Sequence, residues 1–152
     1  MMPADHVANY FLAVQDEDAG ELISNLKLQK LCYYAQGFHL ALFDCPLFPE
    51  AVLAWKHGPV IEELWHKYNK YGSNAIPKPT DVDFRLYDDQ TKELLDEVYS
   101  VYGQYSAWKL RNMIHEEPPW FNAQEGGNII SPEAMSTYFK TLLDNPAPLG
   151  HT

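Results

Sequence analysis

The longest helical pattern in this chain is residues 25–42, which read NLKLQKLCYYAQGFHLAL. Apolar residues recur there at the three- and four-residue spacing that places side chains on one face of a helix. These residues are Leu28, Leu31, Cys32, Ala35, Phe38 and Leu42. Ser24 or Asn25 can cap the start of the helix, and Pro46 and Pro49 mark the loop that follows it. We therefore predict a helix here and expect it to be the central helix of the fold.

Five other segments combine amphipathic spacing with the start and stop signals of helices. They are residues 4–14, 59–71, 89–102, 107–115 and 132–144. Ser106 and Ser131 stand at N-cap positions, and Pro59 suits the first turn of a helix. Two short apolar runs, 52–56 and 128–130, predict strands that form at most a two-stranded ribbon. The predicted fold class is therefore mainly α, a single compact domain of about six helices.

Length and composition agree with one soluble domain. The chain has 152 residues, of which 46% are hydrophobic and 21% are charged, as is usual for globular proteins. We expect the domain to span residues 1–144. Residues 145–152 contain two prolines and no apolar pattern, so we expect a flexible tail there.

Charge and hydropathy indicate which kinds of binding partner and which compartment the protein is suited to. The chain has 21 acidic against 11 basic residues and a formal net charge of −10, which disfavours direct nucleic-acid binding and membrane-surface binding. No run approaches the roughly 18 apolar residues that cross a bilayer. The first six residues lack the basic start of a secretory signal, and two cysteines are too few for a disulfide scaffold. We therefore expect a cytoplasmic protein.

The sequence contains no recognised catalytic or metal-binding motif. Neither Gly58-Pro59 nor Gly126-Gly127 matches a phosphate-binding loop, and the six histidines lack metal-ligand spacing. We therefore predict no catalytic residue, no metal and no cofactor. An undetected hydrolase or metal enzyme that uses His57 and His115 is kept as a less favoured alternative.

Two stretches contain aromatic and basic residues that core formation does not explain. Lys27 and Lys30 flank a pair of tyrosines on the central helix, and residues 54–60 read AWKHGPV. The lysines are also compatible with a simple solvated face, and the second stretch with a strand-to-helix turn supported by its tryptophan. Tyrosine and tryptophan beside basic residues are typical of binding hot spots. The residues that we predict to bind a partner are Lys27, Lys30, Tyr34, Trp55, Lys56, His57, Gly58 and Pro59.

The same stretches, residues 26–37 and 46–60, resemble the Panacea domain family, a group of SocA-like and GepA-like phage-associated antitoxins. The resemblance continues in order through residues 71–72, 99–103, 115–120 and 130–139. One departure is an extra proline before the Pro119-Trp120 pair. Residues of the family motif to which we assign a structural role are Leu28, Leu31, Tyr33, Ala35, Gln36, Pro119 and Trp120.

The resemblance implies a small helical antitoxin that neutralises a cognate protein toxin by direct contact. Family members are paired with very dissimilar toxins, usually encoded by an adjacent gene. Neutralisation would occur by masking the toxin or by presenting it to a cellular protease. The resemblance brings no catalytic residues. A phage-associated or regulatory interaction module without a toxin partner is the main alternative.

Overall fold

The computed structural model describes residues 1–16, 22–125 and 128–144. These parts of the chain contain seven α-helices: α1 (Ala4–Val14), α2 (Asn25–Phe43), α3 (Glu62–Tyr68), α4 (Asp89–Tyr102), α5 (Ala107–His115), α6 (Pro118–Glu125) and α7 (Pro132–Asp144). They also contain three strands: β1 (Val52–Trp55), β2 (Gly58–Val60) and β3 (Ile129–Ile130). The predicted mainly α class is confirmed. The tail that we predicted for residues 145–152 lies outside the described residues.

Helix α2 is the central element, as predicted. It packs against α1, α3, α4, α5, α7 and β2. Every residue from Lys27 to Phe38 is buried. The predicted cap is confirmed, since Ser24 Oγ accepts a hydrogen bond from the Lys27 N–H at 3.3 Å. The helix ends at Asp44, whose φ of 57° turns the chain away while its N–H donates to the Leu40 carbonyl.

The contact between α2 and α7 is built from aromatic rings. The Phe139 ring centroid lies 4.7 Å from that of Phe38, 5.5 Å from that of Tyr33 and 5.9 Å from that of Tyr34. All three contacts are edge-to-face, the arrangement that aromatic quadrupoles favour. Gly37 leaves the space beside α2 that the Phe139 ring fills. The two helices therefore approach closely at this glycine.

The small sheet has one strand more than predicted. The predicted pairing of the two apolar runs is confirmed, with Val52 opposite Ile130 in an antiparallel register. Residues 59–60, which we assigned to the start of a helix, instead form β2 together with Gly58 and pair antiparallel with β1. Gly58 has φ +125°, a conformation open mainly to glycine, and this allows the chain to reverse into a hairpin. Helix α3 therefore begins only at Glu62, after the second strand.

Helix α6 was also missed. No helix was predicted over residues 118–125, yet Pro118 begins one there. A proline is tolerated in the first turn because the N–H that it lacks has no partner within the helix there. The predicted count of about six helices is thereby corrected to seven in the described residues.

Candidate functional site

The structure contradicts the exposure of Lys27, Lys30 and Tyr34 that both interpretations of this face of α2 required. Lys27 and Lys30 are each 1% exposed and Tyr34 is 0% exposed, because helices and the β1–β2 hairpin enclose α2 on all sides. Lys27 Nζ donates to the carbonyl of Gly103 at 2.7 Å. Lys30 Nζ donates to the carbonyl of Leu26, one turn earlier on α2, at 3.2 Å. These lysines are therefore internal charges rather than surface groups.

The other predicted residues lie on the β1–β2 hairpin. Lys56 and His57 are exposed at its tip, Trp55 is half-buried, and Gly58 and Pro59 are buried. Of the residues predicted to bind a partner, Lys56 and His57 are therefore the exposed ones, and the others are half-buried or buried. Gly58 connects the two parts, because a β-carbon built on it would lie 3.1 Å from Lys30 Cε and 3.4 Å from Lys30 Nζ.

Aromatic side chains fix the hairpin to the helices. Trp55 packs edge-to-face on Trp65 of α3 with 5.9 Å between centroids. Trp120 Nε1 on α6 donates to the carbonyl of Trp55 at 2.9 Å, and Gln124 Nε2 donates to the carbonyl of Ala54. The tip therefore extends from a backbone held on two sides.

Basic side chains of α2, the hairpin tip and α5 lie near one another. We call Lys30, His57, Arg111 and His115 the basic cluster. Burial, together with the positive charge of the nearby Arg111 guanidinium, lowers the pKa of Lys30 to about 8. Burial also lowers the pKa of His115, and the positive charges of Arg111, Lys30 and His57 add to that effect, while a contact with the Lys56 backbone opposes it. The cluster thus concentrates positive charge in a chain with net charge −10.

No pattern in the sequence predicted that Arg111 belongs to the basic cluster. In the sequence it is only one position on an amphipathic helix, and His115 figured only in the alternative reading as an enzyme. The His115 ring stacks on Trp120, with centroids 3.9 Å apart and planes 9° apart. The fold alone brings α5 to the hairpin, so no local spacing would have revealed the cluster.

A second polar group lies inside the protein, around Glu117. This carboxylate is buried and accepts hydrogen bonds from Tyr33 Oη at 3.0 Å and Tyr34 Oη at 2.8 Å. Burial raises the pKa of Glu117 to about 7, although hydrogen bonds from Tyr34, Tyr33 and Tyr138 act to lower it. Burial and the carboxylate raise the pKa of both Tyr33 and Tyr34 well above the usual value. We call Glu117 and these three tyrosines the Glu117 network.

The motif residues that we expected to be structural lie in or at the core. Leu28, Leu31 and Ala35 are fully buried on α2. Gln36 holds the following loop, because its Oε1 accepts from the Leu47 N–H at 2.7 Å and its Nε2 donates to the Phe48 carbonyl at 2.8 Å. Gln29 does the same for the start of α3 by accepting from the N–H of Ile61 at 2.9 Å. Polar side chains of α2 therefore anchor loops as well as fill the core.

Two further observations concern metals and membranes. Within residues 1–16, 22–125 and 128–144, no three histidine, cysteine, aspartate or glutamate side chains are grouped so that they would hold a metal ion. Burial raises the pKa of the Cys32 thiol far above its usual value, which disfavours a nucleophilic thiolate. Among the helices of the described residues, none is long and apolar enough to cross a membrane.

Comparison with known proteins gives one match. A family model described as "Antitoxin SocA-like, Panacea domain" matches residues 28–121. We found no match among curated proteins and none among solved structures. The matched segment includes α2 from Leu28 onward, the hairpin, α3, α4, α5 and the start of α6. It contains Tyr33, Tyr34 and Glu117 of the Glu117 network. Since the model covers more than half of the chain, this protein belongs to the SocA-like antitoxin family with the Panacea domain.

Proposed function

We propose that this protein is a non-enzymatic antitoxin that neutralises a protein toxin by direct binding, with the hairpin tip as part of the contact surface. The observation that carries the proposal is the pairing of exposed basic side chains, Lys56 and His57, with a backbone held rigidly by aromatic contacts. A preformed surface loses little conformational entropy on binding, which favours affinity. Family membership supports the antitoxin role.

Helix α5 extends the proposed surface. Trp108 is 67% exposed, which is unusual for so large a ring, and Arg111 lies over it with 4.8 Å between its Cζ and the ring centroid. Helix α5, which carries this pair, also packs against β2 of the hairpin. Tryptophan and arginine are the residues most enriched in binding hot spots.

The buried residues of the predicted partner set have a supporting role in this proposal. Lys27 and Tyr34 do not reach the surface, and Lys30 lies beneath Gly58. We assign them to holding the shape of the surface rather than to touching the toxin. Replacing Lys30 would therefore perturb the fold, and the exposed residues give the cleaner test of binding.

The role itself is tested by growth. The adjacent gene is expressed alone and together with this chain, and we expect arrest in the first case and growth in the second. Repeating the rescue in a strain without its major cytosolic proteases separates masking, which persists, from presentation to a protease, which does not. If the adjacent product is harmless or remains toxic in the presence of this chain, the antitoxin role is wrong.

The contact surface is tested by affinity. We expect Trp108→Ala and His57→Glu each to weaken toxin binding about tenfold, or about 1.4 kcal/mol, because they alter exposed groups of the proposed surface. Calorimetric titration measures the affinity, and circular dichroism checks that each variant is folded. Lys78→Glu is the control, since it reverses an exposed charge on the segment between α3 and α4. If both variants bind as tightly as this control, the surface lies elsewhere.

A further inference from the structure

The basic cluster lacks the negative partner that buried positive charge normally has. Among the described residues, the ion pairs formed by basic side chains are His66–Glu62, Lys67–Asp5, Arg85–Asp83 and Lys140–Asp44. None involves a member of the basic cluster. Lys30 is the fully buried member of the cluster, and a charge in a low-dielectric environment is costly without a counter-charge, so its ammonium group lacks compensation within the described structure.

Hydrogen-bond capacity in the cluster is also unused. Arg111 Nε and His115 Nε2 are buried and have no hydrogen-bond partner. Among the described residues, the Arg111 guanidinium donates only to the exposed side chain of Asn112, at 3.2 Å. Lys30 Nζ carries three N–H groups and donates to one carbonyl, that of Leu26. Buried donors without partners are uncommon in folded proteins, so Arg111 Nε and the remaining N–H groups of Lys30 are able to bind a further acceptor.

The cluster reaches the surface beside the hairpin. Gly58 packs directly on Lys30, since a β-carbon built on it would lie 3.1 Å from Lys30 Cε, and its φ of +125° disfavours any residue that has one. The neighbouring Lys56 and His57 are exposed, and Arg111 and His115 are only half-buried. A small ligand that binds there would meet His57, Arg111 and His115, with the charge of Lys30 behind them.

We propose that the basic cluster binds an oxyanion, either a carboxylate or a phosphate, between α5 and the hairpin. A guanidinium, an imidazole and an ammonium that face one site form charge-assisted hydrogen bonds to oxyanions, and the arginine adds planar geometry. A carboxylate would come from an acidic side chain or C-terminus of a protein, and a phosphate from a small phosphorylated molecule. This inference rests on the cluster itself and does not require that the chain be an antitoxin.

The test is a titration of the full chain with sodium phosphate and, separately, with sodium acetate at ionic strength held constant with sodium chloride. The imidazole proton signals of His57 and His115 are followed by nuclear magnetic resonance. We expect saturable shifts with at least one anion. We also expect the pKa of His115 to rise when the anion is bound, since a negative charge favours the imidazolium. Saturation by acetate identifies a carboxylate site, and saturation by phosphate alone identifies a phosphate site.

Arg111→Gln removes one charge and the planar fork from a half-buried position, and we expect it to weaken anion binding at least tenfold. The matched control is Lys109→Gln, which removes the same charge from an exposed position on the same helix and should leave the binding curve unchanged. Shifts that grow linearly with both anions, or equal binding by the two variants, would overturn the proposal. The titration contains no toxin, so its failure and a failure of toxin neutralisation are separate results.

Discussion

Gly37→Ala is expected to lower the free energy of unfolding by about 3 kcal/mol, although alanine is normally the better helix former by about 1 kcal/mol. A β-carbon at this position would overlap three atoms of the Phe139 ring, the farthest of them at 2.7 Å. Phe139 is fully buried against the rings of Phe38, Tyr33 and Tyr34, so moving its ring would disturb these contacts. Urea unfolding followed by circular dichroism measures the loss.

A double-mutant cycle identifies the cause. Phe139→Leu removes the ring edge at a cost of its own, and combining it with Gly37→Ala should cost clearly less than the sum of the two single changes. Additive losses would show that the alanine disturbs something other than the α2–α7 contact.

The second large effect concerns pH. Because the folded-state pKa of Glu117 is about 7 against an ordinary value of 4.5, the folded protein holds this proton more tightly than the unfolded chain does. Its contribution to stability is fully present below pH 4.5 and is lost as the pH rises through 7. We expect a loss of about 3 kcal/mol in all, from 1.36 kcal/mol for each unit of pKa difference.

The measurement is the free energy of unfolding of the wild type minus that of Glu117→Gln, between pH 4 and pH 8. The difference is needed because other groups act with the opposite sign. Burial lowers the pKa of His39 and His115, so these two residues increase the free energy of unfolding as the pH rises. Glu116→Gln is the control, since it removes the exposed carboxylate next to Glu117 and leaves the Glu117 network intact. A difference between the wild type and Glu117→Gln that stays constant across this range would contradict the assigned proton.

Local signals in the sequence were sufficient for most of the helices. Three predicted serine caps form, since Ser24, Ser106 and Ser131 each accept a hydrogen bond from the backbone N–H three residues later. Capping and apolar spacing depend only on neighbouring residues, so they can be read without the fold. The two missed elements, β2 and α6, both begin at or next to a proline. A proline serves a turn, a strand edge and a first helical turn equally well, so local sequence did not distinguish these outcomes.

The candidate site was less predictable because burial is set by distant parts of the chain. Lysine on a helix is normally a surface residue, and nothing near Lys27 or Lys30 in sequence indicates that other elements cover them. The partner of Lys27 is a carbonyl at the end of α4, and the neighbours of Lys30 come from α5 and the hairpin. The sequence therefore identified unusual residues on α2 and the hairpin, but the prediction that the lysines of α2 are exposed was wrong.

The burial of α2 on all sides has a consequence for how the protein opens. Helices α1, α3, α4, α5 and α7 all pack against it, so exposing its amides to solvent requires most of these contacts to separate together. Local fraying therefore does not reach the middle of α2. Its backbone amides, from Leu31 to Phe38, should exchange with deuterated water at the slowest rates in the chain and report the cooperative unfolding of the helices around them.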